Sequence, residues 1–187
     1  SKKVKKVRIG NGEFSYKWID NWAKLPETDG WAHHGMSVTL DEKIVAIHPT
    51  EPMVIIFDKA GELVDSFSVP IREGHQLALS SDGNKQNLWI ADPGKKNVNI
   101  NGIYEQIQGD LGGQVVCVSL DGKIIQIIPK PPHPVYNNGT FAPTSVTVFE
   151  KSLSGNGDIW VADGYGESYV HRFSSSEIGR ASCRERV

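Results

Sequence analysis

From Trp31 onward one arrangement of short β-type runs occurs three times, and this internal repetition limits the fold more than any single residue does. Each unit opens on a short run: His34-Gly35-Met36-Ser37-Val38-Thr39-Leu40, His75-Gln76-Leu77-Ala78-Leu79, and Pro143-Thr144-Ser145-Val146-Thr147-Val148. After a polar turn comes a second run, Ile44 to His48, Leu88 to Asp92 and Ile159 to Asp163. A third follows, Met53 to Phe57, Gln114 to Leu120 and Ser168 to Phe173. Asp58 to Gly61 and Asp121-Gly122 then turn the first two units into a fourth. Val, Ile, Phe and Trp fill the runs and Gly, Asn and Asp separate them. No window of helical length places apolar side chains at i, i+3, i+4 and i+7. The pattern predicts an all-β chain with less than about one-tenth helix.

Met36 and Leu77 lie 41 residues apart, the length of a four-stranded β-propeller blade. Leu77 and Ser145 lie 68 apart, so the second unit carries an insertion of roughly 25 residues relative to that period. Two stretches can hold it, the Asn- and Gly-rich Lys95 to Gly113 and the Pro-rich Pro129 to Gly139, and both read as surface loops. The blades then fall near 31–70, 71–130 and 140–173, with Leu40, Leu79 and Val148 at matching places on the inner strands. Ahead of them, Val4 to Ile9 and Phe14 to Ile19 alternate around Gly10-Asn11-Gly12, which predicts an N-terminal hairpin over 4–19. Three blades leave a ring open and its strand edges unpaired, so an incomplete ring is expected, about three blades of six. The hairpin would add an outer strand to a last blade lying outside this sequence.

Twenty Lys and Arg against 22 Asp and Glu give no basic footprint for nucleic acid. No stretch reaches about 18 consecutive apolar residues, which argues against a membrane-spanning helix. The chain opens on Ser1, so loss of a leader is compatible with a secreted or periplasmic location. Cys117 lies in an apolar run and reads as an inert buried thiol. The end, 174–187, departs from the alternation. Glu177 to Val187, EIGRASCRERV, reads as a non-native appended tail that packs against nothing, and without it the net charge moves from -2 to -3.

The segment Gly157-Asp158-Ile159-Trp160-Val161-Ala162-Asp163, echoed by Asn87-Leu88-Trp89-Ile90-Ala91-Asp92, resembles the NHL repeat, and over 31–173 it implies an NHL-type six-bladed propeller. A narrower resemblance is to the peptidyl-α-hydroxyglycine α-amidating lyase family. Phe141-Ala142-Pro143-Thr144 followed by Val161-Ala162-Asp163-Gly164-Tyr165-Gly166-Glu167-Ser168 is similar to the lyase segment that carries a catalytic tyrosine, which implies that role for Tyr165. His75, in His-x-Leu, is similar to a zinc histidine of that family. Leu77 then matches a residue whose carbonyl binds calcium, and the repeat offers Met36 as a companion carbonyl and His34 as a second ligand or channel residue. The implied cofactors are zinc and calcium. The implied substrate is a carbinolamide on a small molecule or peptide terminus. Its cleavage to amide and glyoxylate needs a base for the hydroxyl, a Lewis acid for the developing alkoxide and a cation for the carboxylate. Two positions depart from the family: Pro49 stands where it implies an arginine, and Gly166 where it implies a cysteine.

Other readings compete. A non-catalytic NHL scaffold would present loops such as Lys95 to Gly113 to a protein partner. A gluconolactonase-like hydrolase would need a carboxylate set around one divalent ion, for which Asp92, Asp163 and the early Glu residues are what the chain offers. Asp92 and Asp163, at equivalent positions, read as turn acceptors. Trp89 and Trp160 read as inter-blade packing, His48 and His133 as loop histidines, and Arg172 as a solvated strand-edge residue.

Overall fold

The computed structural model describes residues 7–25, 34–108 and 112–175, and the backbone of 181–186. Its strands are β1 (Arg8–Asn11), β2 (Phe14–Lys17), β3 (Met36–Val38), β4 (Ile44–Ile47), β5 (Met53–Phe57), β6 (Leu63–Ser68), β7 (Gln76–Asp82), β8 (Lys85–Asp92), β9 (Lys95–Ile100), β10 (Ile103–Gln108), β11 (Gln114–Ser119), β12 (Ile124–Ile128), β13 (Ser145–Val148), β14 (Ile159–Ala162), β15 (Tyr169–Phe173) and β16 (Ala181–Arg186). The only helical elements among the described residues are two short 3-10 turns, Pro134–Asn137 and Lys151–Leu153. The chain is all-β, with three antiparallel four-stranded sheets that form blades of a β-propeller: β3-β4-β5-β6, β7-β8-β11-β12 and β13-β14-β15-β16.

The middle blade is apolar on both faces, and that is what joins its neighbours. Along β8 and β11 the side chains alternate. Leu88, Ile90, Val116 and Val118 face a core shared with Val45, Ile47, Val54 and Ile56 of the first blade. Trp89, Ala91, Val115 and Cys117 face a second core with Val146, Ile159, Val161 and Phe173 of the third. Each fully buried Leu or Ile there contributes about 1.5–3 kcal/mol relative to an exposed one. Ladder register makes Met36, Leu77 and Val146 equivalent, opposite Ala46, Ile90 and Val161. Val38, Leu79 and Val148 are therefore the matching set, and Leu40 falls in the turn beyond β3. The expected place of Leu40 is corrected by two residues.

Four other expectations change. Lys95 to Gly113 is largely a β9-β10 hairpin, not a loop, because Asn101 (φ 54°) and Gly102 (φ 86°) supply the two positive φ angles of a tight turn. Pro129 to Gly139 is partly folded: Pro134–Asn137 forms a 3-10 turn that buries Tyr136. The β1-β2 hairpin turns at Gly12-Glu13, later than the Gly10-Asn11-Gly12 centre, and among the described residues it pairs with no other strand; residues 4–6 lie outside them. Ala181–Arg186, expected to pack against nothing, pairs antiparallel with β15 and supplies the outer strand of the third blade. Glu177 to Arg180 and Val187 lie outside the described residues, as do Trp31 and His33.

Candidate active site

In the second blade Asp92 ends the second strand and in the third Asp163 directly follows it, each after an alanine, and the buried carboxylate ties that strand end to the segment entering its own inner strand. Asp92 accepts from the backbone N–H groups of Arg72 (2.8 Å), Glu73 (3.1 Å) and Gly94 (2.8 Å) and from the Gln114 side chain (3.2 Å). Burial raises its pKa above the ordinary carboxylate value, and these hydrogen bonds oppose the rise. Asp163 accepts from Ala142 N–H (2.7 Å), Glu167 N–H (2.7 Å) and the Tyr136 hydroxyl (2.8 Å). Both aspartates are turn acceptors, as their equivalence implies. In the first blade His48 follows β4 at the matching position, and its Nδ1 accepts from Thr50 and Glu51 N–H. It is a turn acceptor too, a role that its reading as a loop histidine missed.

The Asp163 clamp shapes the turn that carries Tyr165. Tyr165 N–H donates to Ala142 O (3.2 Å), and Thr140 N–H donates to the Glu167 carboxylate (3.0 Å), so 163–167 is laced to 140–142. Within this turn Gly166 lies over the carboxylate. A Cβ there would meet Asp163 Oδ1 and Oδ2 at 2.3 and 2.5 Å and Thr140 O at 2.1 Å. Position 166 has no room for the cysteine that the lyase resemblance implies; the carboxylate holds that space.

His75 arrives from the other blade. Its backbone N–H donates to Ala91 O (2.8 Å) and its carbonyl accepts from Gly35 N–H (2.9 Å). Its Nδ1 lies 2.8 Å from Thr144 O. A carbonyl can only accept, so Nδ1 carries the proton, and in the neutral ring Nε2 offers its lone pair. Nε2 faces the Tyr165 hydroxyl at 3.1 Å, with the rings edge to face at 5.0 Å. The expected separation was under about 15 Å, the span of one substrate, and the two side chains are in direct contact. From β9, Lys95 Nζ lies 5.1 Å from the Tyr165 ring centroid. Glu73, His75, Lys95, Asn97, Gln106 and Tyr165 line a cavity of about 30 Å³, room for about one water molecule. The β9-β10 hairpin is thus one wall of the site. Beside Lys95, the buried Lys96 fastens this wall to the first blade, its ammonium donating to Pro49 O (3.1 Å) and Thr50 O (3.0 Å). Burial lowers its pKa, against the pull of nearby Glu73.

Leu77, expected to point with His75, instead buries its side chain in the core between the first two blades. His75 precedes β7, so the strand's alternation does not govern its ring. The Leu77 carbonyl accepts from Ser37 Oγ at 3.3 Å, and Met36 is 69% exposed. His34 is half-buried next to Gly35, beside the backbone of His75. Among the described residues no group of three or more His, Cys, Asp or Glu can hold a metal ion. A zinc centre takes at least three protein ligands and calcium about six to eight oxygens, so these residues complete neither. Arg172, read as a solvated edge residue, bonds the buried Asp158 carboxylate and lies against the Trp160 ring. Trp89 packs in the second core, and Trp160 lies outside both cores.

Two buried residues escape the sequence. The Tyr136 hydroxyl lies 2.8 Å from Asp163 Oδ2 and 2.5 Å from His171 Nε2. His171 is fully buried, walled by Phe141, Tyr169 and Phe173 with ring centroids 5.9, 6.1 and 6.4 Å away. Burial lowers its pKa, Asp163 opposes this, and His133 adds to it. The signal available was the alternation Tyr169, His171, Phe173, which puts the three on one face of β15.

Among the described residues no helix is long and apolar enough to cross a membrane. No family model matches the chain, and no curated protein matches it. Among solved structures it is similar to selenomethionine-substituted virginiamycin B lyase from Staphylococcus aureus, with 16% identity over 81% of this chain and 54% of that one and a TM-score of 0.42. It is also similar to a streptogramin B lyase, with 14% identity over 91% and 58% and a TM-score of 0.46. A third is BBS1N in complex with ARL6DN, with 15% identity over 91% and 59% and a TM-score of 0.39. The chain thus spans between one half and three fifths of the length of the solved structures it matches.

Proposed function

We propose that this chain carries part of the reaction centre of an NHL-type propeller lyase related to the α-amidating lyases, which splits a carbinolamide into an amide and glyoxylate. The observation that supports this reading most is the His75 and Tyr165 pair: an imidazole whose Nδ1–H is engaged by Thr144 O and whose Nε2 faces a tyrosine hydroxyl at 3.1 Å. Such a pair moves protons in both directions. Tyr165 gives its proton to His75 Nε2. The phenolate takes the proton from the substrate hydroxyl as those electrons form the C=O bond. The C–N bond breaks with its electron pair on nitrogen, and the imidazolium returns its proton there. Both side chains end as they began. Lys95 sets a positive charge beside the tyrosine ring, where negative charge develops, and can pair with the substrate carboxylate. Zinc and calcium belong to the proposal only with ligands from beyond the described residues, and no step above passes through them. Peptides ending in α-hydroxyglycine, incubated with the protein and added zinc, should release glyoxylate, and His75→Ala and Tyr165→Phe should each abolish most of it while leaving the fold intact. Turnover at the wild-type rate in both variants would remove the lyase reading.

One observation favours a second reading, a scaffold for a protein partner: the tip of the β9-β10 hairpin turns Ile100, Ile103 and Tyr104 to solvent. Retained partner binding in a chain with no lyase activity would select it.

A further inference from the structure

We infer that Tyr136 and His171 are positioning residues for Tyr165, acting through Asp163 as one buried relay that holds the 163–168 turn against the third blade. This rests on the reading of Tyr165 as the reacting group. The protons can be placed from the geometry. An ionised Asp163 only accepts. Its Oδ1 is occupied by Ala142 N–H and its Oδ2 by Glu167 N–H and the Tyr136 hydroxyl. The single Tyr136 proton therefore points at Asp163, and the phenol oxygen is left to accept from His171. At 2.5 Å from that oxygen, His171 Nε2 carries its own proton. His171 is thus the Nε2–H tautomer and His75 the Nδ1–H tautomer, two opposite states within one protein.

The relay joins four separate pieces of chain: β15 through His171, the Pro134–Asn137 turn through Tyr136, the end of β14 through Asp163, and the entry to β13 through Ala142. Tyr165 sits two residues from Asp163, and its own N–H bonds the Ala142 carbonyl. Its hydroxyl meets His75 across the blade boundary only while that turn is held. A carboxylate laced to backbone alone would fix a turn. The added phenol and imidazole matter because they fasten it to β15, the neighbouring strand of the same blade, whose Phe173 is packed into the second core.

The test is ¹⁵N NMR of the histidine rings in the protein. The wild type should show opposite tautomers for His75 and His171. Tyr165→Phe, which deletes the hydroxyl, marks the His75 Nε2 shift of a broken pair. Tyr136→Phe should move His75 Nε2 in the same direction and lower kcat about tenfold or more, with KM little changed. Glutamine at 171 keeps an N–H for the phenol oxygen, so His171→Gln should retain the wild-type His75 signal, whereas His171→Leu should lose it. Val116→Ala, in the other core, should weaken the fold without moving that signal. If Tyr136→Phe does not fold, the contrast between Gln and Leu at 171 decides. An unmoved His75 signal in folded Tyr136→Phe, or equal effects of Gln and Leu, would overturn the inference. Should the NMR pattern appear while the wild type releases no glyoxylate, the positioning role stands and the lyase reading fails.

Discussion

Asp163→Asn is the sharpest probe of how the site is held. The substitution keeps the shape of a fully buried side chain and replaces one carboxylate oxygen by an NH2 group. With the amide oxygen left on Ala142 N–H, the new NH2 faces the Glu167 N–H and the Tyr136 hydroxyl, so two donors, one partly and one fully buried, lose their acceptor. A buried polar group left unsatisfied costs about 1–3 kcal/mol. Two give about 4 kcal/mol, a large part of the roughly 5–15 kcal/mol that holds a domain folded. At about 2–4 °C per kcal/mol for a chain of this size, the melting temperature should fall by about 8–16 °C. Urea unfolding at pH 7, followed by tryptophan fluorescence, measures the loss. Asp65→Asn, on the exposed outer strand β6, should fall within about 0.5 kcal/mol of the wild type. A loss at position 163 below about 1 kcal/mol would mean that the carboxylate is not the acceptor these donors depend on.

Two further predictions use the buried titrating groups. Because burial depresses the pKa of His171 below its ordinary 6.5, the unfolded chain binds more protons than the folded one between those values. Its contribution to stability is therefore complete above pH 6.5 and is lost as pH falls through the window beneath it; His171→Gln should flatten urea-unfolding stability between about pH 7.5 and 5, and an unchanged slope would refute this. Burial pushes the Cys117 thiol up to about 12, so in a Cys183→Ser background iodoacetamide at pH 8 should label the protein only after denaturant is added, with native labelling by mass spectrometry as the contrary result.

The fold was legible because the repeat is written in runs that alternate between two faces, and propeller blades are little more than such runs. The β9-β10 hairpin was equally legible. Alternating Lys-Asn-Val-Asn-Ile and Ile-Tyr-Glu-Gln-Ile-Gln flank Asn101-Gly102, but a high Asn and Gly content drew the reading toward a loop. The β15-β16 pairing was not legible, since Ala-Ser-Cys-Arg-Glu-Arg has no apolar alternation and a backbone ladder needs none. Of the site, His75 and Tyr165 stood out only through resemblance, and their meeting depends on an inter-blade geometry that no spacing encodes. Tyr136 was hidden in a proline-rich stretch without period. Leu77 and Met36 match each other in register, as the repeat requires.

His75 belongs to one blade and Tyr165 to the next, so their contact lies on a seam that the His75 ring spans with two hydrogen bonds, to the Tyr165 hydroxyl and to Thr144 O. The nearest covalent path between the two rings runs through 90 residues, and what keeps them together is the packing of the second core. Reactivity here becomes a property of the fit between two sheets. A small loss of volume at Val146 or Val161, both buried in that core, would let the seam breathe. On the lyase reading proposed above, it would lower turnover while the sheets themselves remained folded, and this part of the molecule would give way in function before it gave way in structure.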